Sequence, residues 1–127
     1  MGTRESTPKP GNVISSSKAR LVVEEFSLNF RSHMDATLVE KVPMACALHG
    51  TVIGNDFAKL PIPDDSQVYA FYENTDELFR TTIKAMVHYL QSRAPWEDYD
   101  ICIFDPSFNW CLAVSHKDRC VWVMKDK

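Results

Sequence analysis

Asp100–Lys125 reads DICIFDPSFNWCLAVSHKDRCVWVMK, and within it DICIF, NWCLAVSH and RCVWVMK are short runs rich in β-forming residues. DPSF separates the first two runs, and a turn at KD or KDR the last two. Parallel strands need a crossover of a dozen or more residues, so strands this close in sequence pair antiparallel. The segment therefore predicts a three-strand meander. Pro106 presets the first turn dihedral, and Asp105 can accept a hydrogen bond from the backbone ahead of it. A turn role accounts for Asp105 without catalysis.

Working outward, NTDELFRTTIKAMVHYLQSR (74–93) places Leu78, Phe79, Ile83, Met86, Val87 and Leu90 along one face at helical spacing. Asn74 followed three residues later by Glu77 has the form of a capping box, and Asp76 and Glu77 suit the positive end of a helix. This predicts one long amphipathic helix closed by Pro95, with Arg80, Lys84, His88 and Gln91 mainly on its wet side. Before it, VYAFYE reads as a strand and KLPIPDDSQ as a loop, because Pro61 and Pro63 each remove a backbone donor. MACALHGTVIG, bracketed by Pro43 and Gly54, reads as a buried strand bent at Gly50. SHMDATLVEKV reads as a short helix opened by Ser32 and closed by Pro43. ARLVVEEFSLNF alternates from Glu25 onward and reads as a first strand, although a short helix over Leu21–Glu25 also fits.

The first 17 residues are polar, rich in Ser, Pro and Gly, and without period, which predicts a flexible tail before a single domain over 18–127. The expected fold class is α+β: a mainly antiparallel sheet, ending in a three-strand meander, with one long helix packed across it.

The chain has 127 residues, 45% apolar and 24% charged, which suits one globular domain with a real core. No run approaches the length of a membrane span, and no apolar stretch follows Arg4 and Glu5 as in a secretory signal. Cys46, Cys102, Cys111 and Cys120 form no CxxC pair, so buried thiols in a reducing cytoplasm are the expectation. Net charge is −3, but residues 1–20 hold four basic residues against Glu5 alone. Of 14 basic and 17 acidic residues, 10 and 16 remain beyond that point, about −6. A surface of that sign disfavours nucleic acid and suits a basic protein partner.

Motifs with a defined chemistry are sparse. Cys46 and His49 stand three apart, which on a strand places them on opposite faces. Cys102 and Cys111 are symmetric about the DPSF turn and so are candidate cross-strand neighbours, but His116 is too far along the strand to share a metal with them. His33, His49, His88 and His116 lack metal-binding spacing, and His116 with Asp105 or Asp118 is the best placed general base among them. Neither a phosphate-binding glycine loop nor a nucleophile elbow is present. No catalytic residue, metal or cofactor is assigned.

WEDYDICIFDPSFNWC (96–111) gathers four acidic and five aromatic residues. Aromatic anchors inside an acidic rim characterise protein-binding patches. The candidate partner-binding residues are accordingly Trp96, Tyr99 and Phe108 as anchors, with Glu97, Asp98 and Asp100 as steering charges. Against this stands a core role for Trp110 and Phe108 beside a solvated loop.

The stretch DICIFDPSFNWCLAVSHKDR resembles the C-terminal meander of some small bacterial proteins, toxin-immunity proteins among them. These share an aspartate-ended strand, a turn, a tryptophan, and a Ser/Thr-His ending before an acidic turn. The corresponding residues are Asp105, Trp110, Ser115 and His116, and Lys117 stands where an acidic residue would complete the pattern. The resemblance spans about twenty of 127 residues. It implies a single-domain protein whose work is binding a partner, with no catalytic residues to carry over. The expectation is a cytoplasmic inhibitor of another protein, most concretely an immunity protein covering the active surface of a toxin. A phage or mobile-element inhibitor of a host defence complex would show the same surface, and a small cysteine/histidine hydrolase is the rival from another class.

Overall fold

The computed structural model describes residues 8–35, 44–54, 60–92, 100–115 and 120–124. Seven strands form one antiparallel sheet: β1 (Asn12–Val13), β2 (Thr51–Val52), β3 (Gln67–Tyr72), β4 (Glu77–Thr82), β5 (Ile101–Phe104), β6 (Trp110–Val114) and β7 (Cys120–Met124). Their order is β1-β4-β3-β5-β6-β7-β2. Among the described residues three α-helices accompany them, α1 (Ser16–Asn29), α2 (Met44–Ala47) and α3 (Ile83–Ser92), with a short 3-10 helix at Arg31–His33.

A C-terminal meander is present as the sequence predicts, but its strands are not a unit of three: β5 continues the sheet through β3 and β7 through β2. β5 pairs with β6 with Phe104 opposite Cys111, and β6 with β7 with Trp110 opposite Met124. The turn between β5 and β6 is closed by the Phe108 amide donating to the Asp105 carbonyl, and by Asn109 donating to the Asp105 carboxylate. Every residue of β5 and β6 is buried, because both faces of the sheet are covered. On one face Tyr69, Phe71, Cys102, Phe104, Cys111 and Val121 pack beneath α1 and α2. On the other Val68, Ala70, Tyr72, Ile103 and Leu112 pack with Ile83, Met86 and Tyr89 of α3. Strand side chains alternate between faces, so the two cores follow from one apolar run per strand.

The long helix over 74–93 is corrected. Its first part is a hairpin turn and strand β4, and among its described residues only Ile83–Ser92 are helical. On a strand Leu78 and Phe79 point to opposite faces, and with both faces of the sheet covered each meets a core, while Thr81–Thr82 adds β-branched stiffness that favours the strand. The cap is Thr82 rather than Asn74: its Oγ1 accepts the Ala85 amide, while the amides of Ile83 and Lys84 donate to the carbonyls of Ser66 and Asp64. Asp76 takes a left-handed φ of 56°, which Asp tolerates, and so permits the tight β3–β4 turn.

The first strand read into ARLVVEEFSLNF is also corrected, to helix α1. Phe26 and Phe30 stand four apart and are both buried, whereas Leu28 between them is exposed, so helical spacing fits where alternation does not. MACALHG opens as helix α2 and not as a strand. The expected flexible tail holds secondary structure at its end: β1 lies along β4, the Ile14 amide donates to the Leu78 carbonyl, and Lys9 pairs with Glu77. Most of the helix expected over SHMDATLVEKV lies outside the described residues.

Candidate functional site

The six residues expected to bind a partner divide sharply. Trp96, Glu97, Asp98 and Tyr99 lie outside the described residues. Asp100 is 3% exposed, so its carboxylate is no part of a solvated rim. The expectation of a steering charge there is corrected: the residue directly precedes β5, its amide donates to Asn74 Oδ1, and its carbonyl accepts the Glu73 amide. Phe108 is half-buried, with a φ of 60°, and stacks on Phe104 with ring centroids 5.8 Å apart. It is anchored inward and shows only part of its ring.

Asp100 instead belongs to a carboxylate–thiol cluster that the sequence did not advertise. Glu73 accepts the amides of Met44 and Ala45 at 2.6 and 2.9 Å and so caps α2. Cys46 donates its thiol to Asp100 Oδ1 at 3.5 Å, and Cys102 lies 4.0 Å from Glu73 Oε2. Burial pushes the Glu73 carboxyl above its ordinary range; the two amides pull it back and the nearby Asp100 charge adds to the rise. The Cys102 thiol is pushed well up, first by its hydrogen bond with Cys111, then by burial and the charges of Glu73 and Asp100. A thiol among carboxylates is held protonated, so Cys102 is the opposite of an activated nucleophile.

The other chemical candidates disperse. Cys102 faces Ala113 across the ladder, so Cys111 is its diagonal neighbour rather than its direct partner, and both are buried thiols. His49 sits 3.9 Å from Asp35 while Cys46 turns to Asp100, so the two form no dyad. His88 is exposed on α3, and His116 and Asp118 lie outside the described residues. Among the described residues no group of three His, Cys, Asp or Glu side chains is arranged to hold a metal ion. No described helix is long and apolar enough to cross a membrane.

What the fold does assemble in the meander is an aromatic end. Trp110 and Trp122, diagonal neighbours on β6 and β7, stack with centroids 5.1 Å apart and planes 22° from parallel. Met124, opposite Trp110, is 55% exposed, and Trp122 is half-buried. The turn carrying Phe108 and Asp105 closes the same end of the sheet. Sequence reading singled out Trp110 and Phe108 but missed Trp122 and Met124; only the β6–β7 register joins them.

No protein-family model, curated protein or solved structure matches this chain.

Proposed function

We propose that this chain is a small inhibitor that acts by binding another protein, in its most concrete form an immunity protein that covers the active surface of a toxin. The observation that supports the reading is Met124, 55% exposed, beside the half-buried Trp122, whose ring is held in place by stacking on the buried Trp110. Trp and Met are the side chains interfaces favour, and a rigid, stacked aromatic loses little entropy on docking. The acidic balance of the chain beyond residue 20 adds attraction for a basic partner, raising its rate of encounter. Glu97 and Asp98, next to Trp96 and Tyr99 in sequence, are the steering charges in this reading.

Tagged protein captured from its native host at low and high salt tests it, with Trp122→Ala/Met124→Ser and Glu97→Ser/Asp98→Ser variants alongside. The reading expects one stoichiometric partner whose own activity is blocked while it is bound, lost with the first variant and weakened at low salt by the second. A partner retained equally by all three proteins overturns the assignment of the surface. The absence of any partner at either salt overturns the function.

A further inference from the structure

α1 carries on its outer face a pattern of charge and leucine that its fold does not use. The helix has 14 residues, about 21 Å. Ala19, Phe26 and Phe30 face the sheet and are buried. Leu21 and Leu28, seven apart and therefore within about 20° of each other around the axis, face solvent at 66% and 59% exposure. Arg20 and Glu24 flank this ridge on one side, Lys18 and Glu25 on the other, and all four are exposed. On each flank the cation precedes the anion.

That order is self-complementary. When two such helices lie antiparallel across a two-fold axis, each flank meets the same flank of the other copy. Arg20 of one copy then faces Glu24 of the other about a centre at residue 22, and Lys18 faces Glu25 about a centre midway between residues 21 and 22. The two centres agree to half a residue, about 0.75 Å of rise. One axis therefore satisfies four ion pairs together, and it brings the two Leu21 side chains into contact beside it. A scattered set of surface charges has no reason to share a centre.

From this we infer that α1 is the contact of an antiparallel, two-fold homodimer of this chain. Stable interfaces bury about 800 Å² per partner, more than one short helix face supplies, so the dimer is weak and sensitive to salt. The contact lies over the opposite sheet face from Trp110 and Trp122, so it can be tested apart from the surface at Trp122 and Met124.

Sedimentation velocity at low salt, over a concentration series reaching several hundred micromolar, reads the association of the full chain. Lys18→Glu/Arg20→Glu and Glu24→Lys/Glu25→Lys change only exposed side chains, and their thermal melts check that each folds. The wild type is expected to dimerise at the upper concentrations, each variant alone to stay monomeric, and an equimolar mixture of the two to associate at least as well as wild type. A wild type that stays monomeric throughout, a variant that dimerises alone, or a mixture that does not associate overturns the inference. Loss of a captured foreign protein from Leu21→Ser, without any homodimer, would give the ridge to that protein instead and equally overturn it.

Discussion

Glu73 Oε1 accepts a hydrogen bond from the Met44 amide, N to O 2.6 Å, across 29 residues of sequence, joining the β3–β4 turn to the first turn of α2. Asp100 adds a second carboxylate to the same site, and its charge works against ionisation of Glu73.

The pH dependence follows from the sign of that shift. The Glu73 carboxyl is raised above the ordinary 4.5, so between 4.5 and its folded value the native state holds a proton that the unfolded state has released. Stability attributable to Glu73 therefore increases as pH falls through its folded value and levels off below 4.5. Glu77, lowered mainly by its hydrogen bond from Lys9, acts in the opposite sense: its contribution is present above 4.5 and lost as pH falls through its folded value. Denaturant titrations of wild type and Glu73→Gln between pH 4.5 and 7 check this. The difference between the two proteins should change with pH in that interval, and a constant difference would contradict the shift.

Thr82→Ala should destabilise the fold by about 1 kcal/mol, because it removes the oxygen that accepts the Ala85 amide at the start of α3. Were the helix to begin at Asn74, Thr82 would lie mid-helix, where Ala is the better helix former and the same change would stabilise. The sign of the shift in urea midpoint separates the two.

What was legible in the sequence follows from range. The meander is set by apolar runs and short turns, so β5, β6 and β7 could be placed from local chemistry alone. The start of α3 could not, since Leu78, Phe79 and Ile83 fit a helical face, whereas in β4 Leu78 and Phe79 serve opposite sheet faces, and the choice is made by β3, which offers β4 six paired positions. α1 was misread because Phe26, Leu28 and Phe30 alternate by accident, and only burial distinguishes the inward pair from the outward Leu28. The cluster at Glu73 was invisible for a stronger reason. Cys46, Glu73 and Asp100 are 27 residues or more apart in sequence and converge only when α2 docks against the end of β3 and β5. Trp122 and Met124 were passed over as ordinary strand residues for want of a register.

Phe26→Ala and Leu28→Ala make that distinction measurable. Phe26 is 1% exposed and packs on Phe30 and Phe104 with centroids 4.9 and 4.5 Å away, so its truncation should cost about 3–5 kcal/mol. Leu28→Ala should stay within about 0.5 kcal/mol, as an exposed helical site does. Equal losses at the two positions, read from chemical denaturation, would return this segment to a strand.

The cysteines should separate by access. Cys46 is half-buried while Cys102, Cys111 and Cys120 are buried, so a thiol reagent at neutral pH should modify Cys46 first and the others only on unfolding. Fast modification of Cys102 in the native protein would contradict its raised thiol and revive the hydrolase reading.

Gly50 closes the far edge of the sheet. A β-carbon built there collides with the Trp122 carbonyl oxygen and comes within 2.9 Å of Val123 Cγ2. The oxygen is backbone and cannot swing aside, so Gly50→Ala must push β2 away from β7, at a cost of about 1–3 kcal/mol. β2 is only two residues long, pairing Thr51 with Trp122 and Val52 with Val121, so the displacement should free most of that edge. Two readouts should move together: the urea midpoint should fall, and tryptophan fluorescence should report a changed surrounding for Trp122. Val52→Ala, whose side chain is exposed, should leave both unchanged. If Gly50→Ala left the midpoint where it was, β2 would not be held against β7 in solution, and the edge beside Trp122 would be open to a partner strand.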